Sequence, residues 1–245
     1  MRTWGSASEI WKLYRKGGLT PAFASIFDLE SAQQIAYIRS LMKDQARYNM
    51  DHVSLSELQA VVFDLETTGF APQQGDEIIS IGAVALYGDR CAENELFYSL
   101  VNPNRVIPPH VEQLTSITNE LASQAPGLIE ALGKFLDFVR NRVLIAHGSG
   151  HDKRFINAAL WKTSRVMSQH RVLDTMIVAS KLYPERQGST LDDWLHYYGL
   201  DNAGRHHSLQ DSLMTAKLWL ALMDDVRSRQ DVKTLGELYA FLGQE

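Results

Sequence analysis

Two carboxylates separated by one residue, Asp64 and Glu66, stand in the run Val61-Val62-Phe63-Asp64-Leu65-Glu66-Thr67-Thr68-Gly69-Phe70. An apolar run that stops at Thr-Thr-Gly reads as a buried strand entering a turn. Side chains alternate along a strand, so both acids share one face with Val62. Neighbouring carboxylates on a covered face repel unless a proton or a cation compensates them, and a divalent metal is the natural compensator. Taken alone, Asp-x-Glu also describes a strand with an acidic outer face.

Two further constellations bear on that choice. In Ile145-Ala146-His147-Gly148-Ser149-Gly150-His151-Asp152 an apolar strand ends in a small-residue loop and passes into a helix, with Asp152 near the helix start. A carboxylate there also complements the helix dipole. In His206-His207-Ser208-Leu209-Gln210-Asp211 an apolar helix opens, and Ser208 to Asp211 has the spacing of a capping box. Asp211 nevertheless stacks above Thr215, Leu218 and Leu222 on a largely apolar stripe, which a cap alone does not require.

The elements that must position these residues follow from the hydrophobic pattern. Residues 1–58 read as a helical N-terminal extension: Ile26, Leu29, Ala32, Ile35, Ala36 and Met42 recur at near-helical spacing after the Gly17-Gly18 and Pro21 breaks, with Trp4, Trp11 and Tyr14 as an aromatic cluster. Its apolar side packs on the main domain, pairs with another subunit or docks a partner. From residue 59 the pattern becomes mixed. Strands at Val61–Leu65, Glu77–Tyr87 and Glu95–Val101 form a meander, and helices then alternate with short strands at Val143–Ala146 and Arg171–Leu173. The expected fold is α/β, with a mixed central sheet of three antiparallel meander strands followed by parallel strands, flanked by helices. The expected divisions are 1–58, a domain over 59–228, and a C-terminal helix over 229–245 packed on that domain.

Composition narrows the classes. The chain has 245 residues, 45% hydrophobic and 22% charged, with a formal net charge of −5, which argues against coating nucleic acid through overall charge. Cys91 is the single cysteine, excluding an intrachain disulfide and a cysteine-rich zinc site. There is no apolar run long enough to span a bilayer, so a cytoplasmic, membrane-free protein is expected.

Together, Asp64, Glu66, Asp152, Asp211 and the preceding His206 resemble the DEDDh exonucleases, the proofreading ε-subunit-like branch of the ribonuclease H-like superfamily. Asp64 to Gly69 stands as that family's Asp-x-Glu-Thr-Thr-Gly, and His206 to Asp211 as its His-x-x-x-x-Asp. Leu114-Thr115-Ser116-Ile117-Thr118 and Asp174-Thr175-Met176 also resemble family segments. Three motifs in the right order are specific where one would be weak. The middle motif departs: members commonly have His-Asn-Ala-x-Phe-Asp, where this chain has His147-Gly148-Ser149-Gly150-His151-Asp152. That removes an amide and an aromatic face expected near the terminal nucleotide, and His151 either stacks there or is a surface histidine.

The resemblance implies a 3′-to-5′ exonuclease acting on single-stranded or frayed 3′ ends, DNA ahead of RNA, and releasing nucleoside 5′-monophosphates. Two divalent ions about 3.5–4 Å apart serve both ends of an in-line displacement, and hard oxygen donors favour Mg²⁺ or Mn²⁺. By resemblance Asp64 bridges the ions, Glu66 and Asp211 complete the tighter site, and Asp152 acts directly or through water. His206 is the expected general base, with His207 its rival, because an imidazole of ordinary pKa about 6.5 accepts a proton near neutral pH. Thr67, Thr68 and Gly69 offer amides and hydroxyls to the terminal sugar, with Leu65 and Phe70 as apolar contacts and His147 and His151 beside them. Lys153, Arg154, Lys162, Arg165 and Arg171 either border a strand groove or form a solvated face. A small-oligonucleotide or RNA-trimming enzyme is the alternative within the family. A non-catalytic adaptor that binds a polymerase through residues 1–58 is the alternative of another class.

Overall fold

Strand β1 (Gln59–Thr67) is the axis about which the sheet is built, because it pairs with one neighbour along its length and with a second over Ala60–Val62. The computed structural model describes residues 32–43, 50–168 and 170–243. β1 pairs antiparallel with β2 (Ile78–Tyr87), which pairs antiparallel with β3 (Arg90–Leu100). On its other side β1 pairs parallel with β4 (Val143–Ala146), and β4 with β5 (Val172–Asp174). The order β3-β2-β1-β4-β5 is the expected mixed sheet of a meander followed by parallel strands.

Alternation along β1 divides the core. Val61, Phe63 and Leu65 join a cluster with helices α4 (Leu128–Val139) and α5 (Gly150–Ser164). Ala60 and Val62 face the other way, into a cluster with α6 (Thr175–Leu182), α7 (Leu191–Tyr197), α8 (Ser208–Gln230) and α9 (Leu235–Gly243). Two short helices, α2 (Pro109–Thr115) and α3 (Asn119–Ser123), lie in the connection between β3 and α4. Asp64 and Glu66 therefore continue the row of Val62 at the open end of the α8 layer, which is the placement that the strand periodicity predicts.

The N-terminal helix, α1, is described over 32–43 and packs in cis, with Ile38 fully buried and Met42 4% exposed beside Phe135 and Leu160. The aromatic cluster expected from Trp4, Trp11 and Tyr14 lies outside the described residues. Residues just before β1 are also tied into the domain: Leu55 and Leu58 are buried, and the Leu55 amide donates to Lys233 while the Leu235 amide donates to Val53. β3 begins earlier than its hydrophobicity predicts. Ala92 pairs with Ala85 but Leu96 pairs with Val84, so Glu93, Asn94 and Glu95 leave the register, and this polar interruption on an edge strand hid the first half of β3.

The approach of α8 to the sheet sets the position of Asp211. Ser208 Oγ and Ser80 Oγ are 2.9 Å apart, and Ser212 Oγ donates to the Gly82 carbonyl at 3.0 Å. Gly82, opposite Asp64 in register, has no side chain, and a Cβ there would lie 2.2 Å from the backbone of Ser208 and Leu209. Gly82→Ala is expected to destabilise the fold by about 1–3 kcal/mol or more through overpacking. Urea unfolding measures it, and a variant as stable as the parent would show that α8 does not bear on this strand.

Candidate active site

Asp64, Glu66 and Asp211 converge: each offers a carboxylate oxygen, and these oxygens lie within 4.8 Å of one another. β1 brings two of them through its alternation and the first turn of α8 brings the third. Asp152, in the first turn of α5 and 4% exposed, stands outside that trio but acts on it. Burial pushes the Asp64 carboxyl well above the usual range, and Asp152, Glu66 and Asp211 push it further while Arg205 opposes them. Glu66 is raised to about 7, first by burial and then by Asp211, against Arg205. Asp152 is raised to about 8 by burial, against backbone hydrogen bonds from its own residue and Leu65.

The donor set fits a divalent cation. Asp211 Oδ1 is buried with no hydrogen-bond partner, an uncommon state for a carboxylate oxygen that a cation would satisfy. All the donors are oxygens, which suits Mg²⁺ or Mn²⁺.

The two histidines before α8 are told apart by their surroundings. His206 is half-buried with φ of 64°, and its amide donates to Asp211 Oδ2 at 3.1 Å. His207 stacks on Tyr98, with ring centroids 4.7 Å apart at 19°, and is the N-cap residue of α8. The capping-box reading of Ser208 does not hold, because Ser208 lies inside the helix with its hydroxyl directed to Ser80.

The turn after β1 is built around Asp76. Its carboxylate accepts from Thr68 Oγ1 at 3.0 Å, from the Ala71 amide at 3.1 Å and from Arg105 at 3.1 Å. Gly69 leaves room for that carboxylate, which a Cβ would meet at 2.3 Å. Thr68 is 2% exposed, its amide donates to Glu77 and its hydroxyl also accepts from the Glu77 amide, so it holds the turn rather than facing a ligand. Leu65, 6% exposed, packs in the core on the opposite face from the acids. Thr67, Phe70 and His151 do come together: His151 Nε2 is 3.4 Å from Thr67 Oγ1, and its ring meets Phe70 edge-on at 5.7 Å. Phe70 is 82% exposed. His147 is held by Thr175 Oγ1 at 2.8 Å, and burial lowers its pKa. Of the basic stretch, Lys162 pairs with Glu77 and Arg171 with Asp51.

The sequence model of the RNase_T family, described as exonuclease, matches residues 61–219. The chain belongs to the DEDDh exonucleases. A DNA polymerase III subunit epsilon-like protein of Rhodobacter capsulatus is 31% identical over 199 residues, covering 80% of this chain and 28% of its own length. The chain thus spans little more than a quarter of that relative. The DNA polymerase III subunit epsilon of Aquifex aeolicus is 30% identical over 166 residues, covering 68% of this chain and 81% of its own. The nuclease domain of 3′hExo, a DEDDh family member bound to rAMP, shares the fold with a TM-score of 0.62 at 21% identity, covering 71% of this chain and 94% of that one.

For this exonuclease, sequence reasoning missed the residues that support the site. Asp174 accepts from the amides of Gly148 at 2.9 Å, Ser149 at 2.7 Å and Met176 at 2.9 Å, lashing the loop before Asp152 to β5. Its segment resembles a family segment, but a carboxylate serving three main-chain donors has no spacing signature that would reveal this role. Asp76 and Arg205 carried no motif at all.

The raised carboxyls give stability a pH dependence. In the metal-free protein Glu66 and Asp152 keep protons that the unfolded chain has already lost, so the folded state binds more protons and stability falls as pH rises. The window runs from the ordinary carboxylate range up to about 7 for Glu66 and about 8 for Asp152. The Tm of the metal-free chain is expected to fall across that window in thermal unfolding. Mn²⁺ should raise Tm most at its upper end, and Asp64→Asn should remove most of that gain. A Mn²⁺ effect that is flat with pH would contradict the account.

Proposed function

We propose that this chain removes nucleoside 5′-monophosphates from the 3′ end of single-stranded or frayed DNA. The observation that carries the reading is the convergence of half-buried Asp64 and Glu66 with buried Asp211, one of whose oxygens has no partner, beside Asp152 and His206. Two divalent cations, Mg²⁺ or Mn²⁺, held by Asp64, Glu66 and Asp211 with Asp152, supply charge stabilisation at the attacking and leaving oxygens.

The chain's own residues do the rest. His206, anchored through its amide to Asp211, accepts the proton of the attacking water. The water oxygen bonds to phosphorus, the P–O3′ bond breaks, and the shortened strand leaves with a 3′-hydroxyl protonated from solvent. Exposed Phe70 and the adjoining Thr67 and His151 hold the terminal nucleotide.

Similarity to epsilon subunits of DNA polymerase III supports DNA as the substrate and a polymerase as a partner. RNA ends are the second reading, favoured by the polar His151 beside Thr67, which suits a 2′-hydroxyl. An adaptor without catalysis would have no use for a buried carboxylate cluster, which is costly without a cation. Among the described residues no helix is long and apolar enough to cross a membrane.

Incubating matched 5′-labelled DNA and RNA oligonucleotides with Mg²⁺ or Mn²⁺ tests the reading. Stepwise loss from free 3′ ends is expected, fastest on DNA, abolished by a chelator and by Asp64→Ala. His206→Ala should lower kcat by about 10²–10⁴-fold. Undiminished shortening by Asp64→Ala, or no shortening by the parent chain, would refute it.

A further inference from the structure

The connection between α7 and α8 carries His206 and leads to Asp211 in the first turn of α8, and one side chain bridges the two helices. Arg205 Nε donates to Asp192 Oδ1 at 3.0 Å, and Arg205 Nη1 lies 2.5 Å from Asp211 Oδ2. Asp192 is fixed in turn, since it sits in the first turn of α7 between Leu191 and the fully buried Trp194 and Leu195. Asn202 Nδ2 reaches the same Asp192 oxygen at 3.3 Å, and the Leu200 amide donates to Leu195 at 2.8 Å. Gly204 and His206, on either side of Arg205, both have positive φ, 84° and 64°, so the backbone turns sharply enough to present the guanidinium between the two helices.

The two oxygens of Asp211 are consequently divided. Oδ2 receives Arg205 and the His206 amide, whereas Oδ1 is buried and has no hydrogen-bond partner. We propose that Arg205 is the positioning residue for the cation ligand Asp211, gripping one carboxylate oxygen from an anchor on α7 so that the other is held toward Asp64 and Glu66. A planar guanidinium can bridge two carboxylates in fixed directions, which a lysine ammonium cannot. The inference rests on the cation reading of this site.

Charge and position make opposite predictions here. Removing a positive group beside carboxylates tightens cation binding by Coulomb's law. Removing the group that orients a ligand weakens it, typically by about 10–100-fold.

Titration of the full chain with Mn²⁺ by calorimetry separates the two. Arg205→Ala is expected to bind Mn²⁺ about 10–100-fold more weakly than the parent. Arg205→Lys, which keeps the charge and loses the fork, should also bind more weakly than the parent, by less than Arg205→Ala. Unchanged or tighter binding by Arg205→Ala, or parental affinity in Arg205→Lys, would overturn the proposal. If Arg205→Ala does not fold, Arg205→Lys decides. A parent chain that takes up no Mn²⁺ would instead refute the cation site itself, and Arg205 would then have no ligand to position.

Discussion

Repulsion among buried carboxylates is the constraint on which this structure turns. Asp64, Glu66, Asp152 and Asp211 are drawn together from a strand and two helix starts, and burial disfavours the charged forms of Asp64, Glu66 and Asp152. Left to themselves such groups take up protons or separate. They stay together because every element that bears one is held from outside the cluster: β1 by β2 and β4, α5 by Asp174 and its loop, α8 by Ser80 and Gly82. Cores on both faces of the sheet thus provide the rigidity that an electrostatically unfavourable site needs.

The supporting hydrogen bonds share a form. Asp174 accepts two main-chain amides of the Gly148 loop and Asp76 and Asp211 one each from theirs, and each such loop borders the acids or the proposed nucleotide subsite. Hydrogen bonds to a charged acceptor are stronger than neutral ones, so a few of them give an irregular segment the definition that a strand has from its ladder. The same economy explains Thr68. Its hydroxyl and amide are consumed in holding the turn, while Thr67 and Phe70 are more exposed.

Within the DEDDh family this chain combines an unaltered set of acids with an altered middle motif. Gly148 has φ of 66°, the left-handed region that favours glycine, and a Cβ there would meet only Met176 at 4.0 Å. His151 occupies an aromatic environment between Phe70 and Phe155 while adding a polar edge beside Thr67. The departure therefore falls on the proposed nucleotide subsite and spares the oxygen donors.

The amino-acid order alone determined the sheet, the positions of the acids within their elements, and the family. Strand alternation put Asp64 and Glu66 on one face, and the apolar stripe below Asp211 set it at the start of a core helix. These are local, periodic properties, and periodicity survives in one dimension. It also misled where it was interrupted, at the polar residues of β3 and at Ser208, whose capping spacing was a coincidence of a contact with Ser80. What only the tertiary structure decided were the pairings across long separations: Gly82 under α8, Asp174 under the Gly148 loop, Tyr98 under His207, and Arg205 between Asp192 and Asp211. Each depends on where two elements cross, and a crossing leaves no spacing in the chain from which it could be read.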